Sequence, residues 1–213
     1  LYQQGKKYNQ MDSLNKYKEV WQTQEMDQPL DKKSLNTLIH KRSSSIVKWI
    51  FYVSLFEFGL VLLLNLIIPT DWEQYKTYGL YHFMIGVSIF GYALTLLFIF
   101  LFYKNYKNIS VHESTKDLMQ NILNTRKTVK YYILINLIFI AFALFYSFYV
   151  IFNSEEYEGL MTKLGENGPI LLWSIVVFAI LFVVGIMYLF YSLLYGLLIK
   201  KLNKNYKELI EEV

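Results

Sequence analysis

The chain has 213 residues, a net charge of +4, no cysteine and 54% hydrophobic residues. The missing cysteines exclude disulfides, thiol nucleophiles and thiolate metal sites together. The apolar residues are bunched into four long runs rather than dispersed, which argues against a soluble globular domain and for a membrane protein.

In chain order, the first feature is a polar segment of residues 1–45, read as a cytoplasmic N-terminal arm. Residues 11–24 place Leu14, Tyr17, Val20 and Trp21 at helical spacing behind Asp12 and Ser13 as caps. Pro29 interrupts the pattern, and a second helical segment, 34–45, starts at a Ser34 cap with Leu35, Leu38 and Ile39 on one face. Helices this short are marginal alone in water, so the stripe needs a partner. Two partners are open: the chain's own 104–130 segment, or a cytoplasmic protein for which Trp21 is an anchor. The Lys41-Arg42 pair with Lys48 suits anionic lipid headgroups.

Four spans are expected at residues 46–68, 80–103, 131–152 and 170–199, each long enough for a helix to cross a ~30 Å hydrocarbon core. The first span itself would then direct insertion. Pro69 closes it, and Gly168-Pro169 opens the fourth, where a first-turn proline removes no helical hydrogen bond. Trp49, Trp72, Tyr75, Tyr78, Tyr81, Tyr103, Tyr131, Tyr132 and Trp173 gather near span ends and read as interfacial anchors. The 104–130 segment carries an apolar face of Leu118, Met119, Ile122, Leu123 and Val129, with Ser114 and Asp117 resembling a capping box. The fourth run is expected to extend past the bilayer into the cytoplasmic tail, residues 200–213, because Lys200 to Leu209 keep helix-forming residues.

Lysine and arginine set the orientation. Residues 1–48, 104–130 and those after 199 hold 19 of them, and the two remaining loops hold 2. The positive-inside rule therefore puts both termini in the cytoplasm. The expected fold is all-α: an integral membrane four-helix bundle, N-in and C-in, in up-down-up-down order, with domains 1–45, 46–199 and 200–213.

Polar residues inside the spans are the candidates for chemistry. Glu57 lies in the middle of the first span, where acids are costly and mark ion or proton sites by default. Its alternative is a protonated carboxyl hydrogen-bonded to Tyr92, Ser88, Ser147 or Tyr146. A lone acid favours the second, because a transport path carries several such groups. His82 and Asn65 lie at similar depth and are expected to pair, and Asn136 is expected to bond between helices. His40 and His112 fall on the other side of the membrane from His82, so no histidine set for a metal or haem is available, and no cofactor is expected. Neither a phosphate-cradling glycine loop nor a nucleophile elbow occurs, which leaves an enzyme without residues. Acids interspersed along the arm dilute any phosphate-binding surface, so nucleic acid is not expected as a direct ligand.

The segment KYKEVWQTQEMDQPLDKKSLNTLIHKRSSSIVKWI, residues 16–50, resembles a family of small four-span bacterial inner-membrane proteins. Its members have a short tryptophan-bearing arm before a Lys/Ser-rich stretch, and some look like membrane-bound anti-sigma factors. The resemblance implies a regulatory protein that holds a sigma factor at the inner membrane through Leu14, Tyr17, Val20, Trp21, Leu35, Leu38 and Ile39. Two other expectations stay open: a small proton or cation transporter or channel subunit using Glu57, and an accessory subunit of a larger membrane complex.

Overall fold

The structure is a computed structural model, which describes residues 32–111, 114–154, 157, 163 and 167–211. The chain divides into two units that meet inside the first helix, Leu1–Ile39 and His40–Val213. All packing described below lies within the second. Every described element is helical: α1 (Lys32–Ile67), α2 (Trp72–Thr77), α3 (Tyr81–Val111), α4 (Thr115–Phe152), α5 (Gly168–Tyr191), a π-helical stretch (Ser192–Gly196) and α6 (Leu197–Glu211). Four helical segments are long and apolar enough to cross a membrane.

The helices run further than the apolar runs alone suggest. Ser34 lies inside α1 rather than capping it, because no glycine or proline interrupts residues 32–67 except Gly59. The segment 104–130 is not a loop with its own helix but the end of α3 and the beginning of α4. Ser114 keeps an extended N-cap backbone, yet its side chain makes no cap hydrogen bond, so the expected capping box does not form. The fourth span continues without a break through the π-helical stretch into α6, the helical extension that the residues after Ile199 lead one to expect.

Between α1 and α3 the short helix α2 is closed at both ends. Asp71 accepts a hydrogen bond from the Gln74 amide at 3.1 Å. At the other end the Gly79 and Leu80 amides return to the carbonyls of Lys76 and Tyr75, at 3.0 and 2.8 Å. This is a Schellman closure, and it needs the positive φ of 70° that Gly79 adopts. Leu80, the residue after it, is buried.

Burial is uneven along the bundle. At the lysine-rich end, one stripe per helix is buried at three- and four-residue spacing: Ser43, Val47, Ile50 and Ser54 on α1, and Leu118, Ile122, Thr125, Val129 and Tyr132 on α4. Phe98, Phe102 and Ile109 on α3 join them, with Leu202, Asn205 and Leu209 on α6. That spacing is the stripe a packed helix presents to its neighbours. Towards the opposite end, large apolar side chains such as Leu66, Phe142 and Phe178 stand exposed. Such a surface suits lipid as its solvent, where burial gains nothing over contact with acyl chains.

Polar pairs tie the lysine-rich end. Asn205 Nδ2 donates to Ser43 Oγ at 3.0 Å between α6 and α1, buried on both sides. Asn105 Nδ2 donates to Thr128 Oγ1 at 3.0 Å between α3 and α4, and the Arg126 guanidinium lies 5.9 Å from the Tyr206 ring centre. Backbones approach most closely between α4 and its neighbours α3 and α5. By contrast, the apolar part of α1 reaches α3 through long side chains, such as Phe51 on Tyr103 and Phe58 on Tyr92 at ring separations of 5.7 and 6.2 Å.

Candidate functional site

Glu57 sits at the end of the buried α1 stripe, 8% exposed. Tyr195 Oη, from the π-helical stretch, donates to Glu57 Oε2 at 2.9 Å. Tyr132 on α4 and Tyr191 on α5 lie beside the same carboxyl group, near enough for their hydroxyls to act on it. A carboxyl offers about four acceptor positions, so it can serve all three hydroxyls at once. The three rings also pack on one another, with centroids 5.7 Å apart for Tyr132 with Tyr191 and with Tyr195, and Phe102 lies 5.5 Å from Tyr132. An acid is thereby held by an aromatic cage drawn from three chain segments.

The wider turn at Ser192–Gly196 falls where Tyr195 meets Glu57. Such π-helical insertions within α-helices often accompany functional positions. Here the insertion brings two tyrosines from adjoining turns, Tyr191 and Tyr195, onto one carboxyl group.

Beside the cage lies a cavity of about 520 Å³, reached by residues from all four long helices. Its polar wall includes Glu57, Asn65, Ser88, Tyr92, Thr95 and Asn136. Ser88 and Thr95 each donate their hydroxyl proton to a carbonyl one turn back, at 2.9 Å. Space is left here because α1 stands off from α4, which packs closely on α3 and α5.

The expected polar pairs are rearranged. Glu57 shares the cavity with Tyr92 and Ser88 but takes its hydrogen bond from Tyr195. Ser147 donates to the Ala143 carbonyl at 2.6 Å and Tyr146 packs on Phe83 at 4.2 Å, so neither serves Glu57. Asn65 and His82 do not pair: Asn65 donates to Val61 O at 2.8 Å, and His82 lies edge-on to Tyr81 at 5.3 Å. Asn136 likewise donates within its own helix, to Tyr132 O at 2.8 Å, rather than across to another. An asparagine inside a helix can donate to the second lone pair of the carbonyl one turn back, which satisfies its amide locally without a neighbouring helix. Thus Glu57, Asn65 and Asn136 come together on one cavity and His82 does not.

Of the arm residues, Leu14, Tyr17, Val20 and Trp21 lie outside the described residues. Leu35, Leu38 and Ile39 fall on the first turns of α1, with Leu38 exposed, Leu35 half-buried and Ile39 buried. Tyr132 is a correction of another kind: it is 1% exposed, a core residue and not an interfacial anchor, whereas its neighbour Tyr131 is 57% exposed. The sequence signal for the cage was present in Tyr191 and Tyr195, two phenols four residues apart within a predominantly apolar run.

A family model described as a domain of unknown function, DUF8845, matches residues 33–212. No curated protein and no solved structure matches the chain.

Proposed function

We propose, for a chain that belongs to the DUF8845 family, that it is a four-span protein of the bacterial inner membrane with both termini in the cytoplasm. Its cytoplasmic end is a helical platform, and its N-terminal arm holds a soluble cytoplasmic partner there. The observation that carries this reading is the packed lysine-rich end, where α1, α3, α4 and α6 continue as helices beyond their apolar parts and are tied by Ser43–Asn205 and Asn105–Thr128. The orientation is supported by the distribution of lysine and arginine, 19 against 2. Because α1 runs unbroken from Lys32, the second arm segment is continuous with the first span. The resemblance of residues 16–50 makes a sigma factor the first partner to test.

Affinity purification from native membranes, with the intact chain against one lacking residues 11–45, tests the reading. A soluble partner is expected with the intact chain and lost with the deletion. Trp21→Ala is expected to weaken capture by roughly tenfold or more, the cost of truncating a buried aromatic anchor. Partners unchanged by both alterations would contradict the assignment.

One observation favours a second reading, in which Glu57 binds a proton or a cation: its carboxyl borders a cavity lined by all four long helices. Reconstituted vesicles should then show a cation or proton flux that Glu57→Gln abolishes. Equal flux in empty and protein-loaded vesicles under every gradient would remove this reading.

A further inference from the structure

A second groove, of about 550 Å³, runs along α4 and past the π-helical stretch. Its lining follows one face of α4: Arg126, Lys127 and Lys130, and then Ile133, Leu134 and Leu137. Tyr188 and Ile199 add to the apolar wall, and Gly196 leaves that wall without a side chain. From Lys130 to Leu137 is about 10 Å of helix rise, so a cationic mouth leads into an apolar trough of that length. Among the described residues that line the groove there is no acid. The ion pair formed among the described residues is Lys204 with Glu208, so none of the three groove cations is paired with a described carboxylate. Arg126 is held in place by its stacking on Tyr206, while Lys127 and Lys130 are exposed.

The order of chemistry along this groove is that of a phospholipid. Three cations sit where the lysine-rich end meets the apolar part of α4, and an apolar trough continues towards the middle of the span. We propose that the groove binds one anionic phospholipid, with its phosphate on Arg126, Lys127 and Lys130 and an acyl chain along Ile133, Leu134, Leu137 and Tyr188. The inference rests on the membrane reading above, with the lysine-rich end at a lipid interface, and is independent of the arm and of Glu57. Basic pockets between spans are suited to anionic headgroups, and three cations give on the order of 100-fold preference over a zwitterionic lipid.

The test uses the full chain in a neutral detergent, titrated with phosphatidylglycerol or phosphatidylcholine of the same chain length, with bound lipid counted by native mass spectrometry. One phosphatidylglycerol should bind at a concentration roughly 100-fold below that for phosphatidylcholine. Lys127→Gln with Lys130→Gln should remove most of that preference. Leu134→Trp keeps every charge but fills the trough, and because Leu134 is 49% exposed the substitution has room to fold. It should weaken binding roughly tenfold or more. Wild-type binding by Leu134→Trp would reduce the effect to surface charge and overturn the proposal, as would equal binding of the two lipids. Displacement by glycerol phosphate, which has the headgroup chemistry without chains, would also overturn it. A chain that shows membrane topology by cysteine labelling yet no lipid preference would sink the lipid site and leave the membrane reading standing.

Discussion

Replacing Tyr132 with alanine is expected to lower the thermal midpoint of the detergent-purified protein by on the order of 10 °C. The ring is 1% exposed and touches four others, Phe98, Phe102, Tyr191 and Tyr195, at centroid distances of 5.1 to 5.7 Å. Truncating such a side chain removes its burial and leaves a cavity, together about 3–5 kcal/mol. It also takes away one of the hydroxyls beside Glu57. Tyr131→Ala is the control. One position earlier on the same turn but 57% exposed, Tyr131 should change stability by no more than about 0.5 kcal/mol. Similar midpoints for the two variants would show that the buried aromatic cage does not exist.

Glu57→Leu should be nearly as damaging, although leucine is apolar and of similar size. The loss is of the common acceptor: Tyr195 donates to it at 2.9 Å, and Tyr132 and Tyr191 lie beside it. Each buried hydroxyl left without a partner costs about 1–3 kcal/mol, so a total above about 3 kcal/mol is expected. Tyr195→Phe alone removes one donor and should cost about 1–2 kcal/mol. Combining the two must cost less than their sum, because the phenylalanine no longer needs the acceptor that the leucine removes. The double-mutant cycle should return a coupling of about 1–2 kcal/mol. Strict additivity would mean that the Tyr195 hydroxyl is satisfied elsewhere.

The four apolar helices were legible because the signal is long and redundant: about 20 apolar residues at a stretch have few other uses. Their ends were legible only in part. Residues 104–111 and 115–130 read as a loop with a helical face of its own, yet they continue α3 and α4, because Ile109, Leu118, Ile122 and Val129 are buried in the lysine-rich end of the bundle. The extension past Ile199 was legible, because Lys200 to Leu209 keep helix-forming residues, and in it Leu202, Asn205 and Leu209 are buried. Glu57 stood out as an acid in an apolar run, but its partners did not. Depth matching pointed to Tyr92, Ser88, Ser147 and Tyr146, whereas the hydrogen bond comes from Tyr195. Depth ranks residues along the membrane normal and says nothing about which helix faces which. Tyr131 and Tyr132 show the same limit, since adjacent positions on one helix turn point about 100° apart, and only packing decides which of them is core.

The proposed topology, with the packed, lysine-rich end of the bundle in the cytoplasm, is open to direct labelling. The chain has no cysteine of its own, so single introduced cysteines report position without background. Lys163→Cys lies beyond one end of the long helices and Lys116→Cys and Lys204→Cys at the other, all at exposed positions. With a membrane-impermeant maleimide on intact cells, Lys163→Cys is expected to label at once. Lys116→Cys and Lys204→Cys should label only after the inner membrane is opened. Labelling of Lys116→Cys or Lys204→Cys in intact cells, with Lys163→Cys protected, would invert the topology and contradict the account.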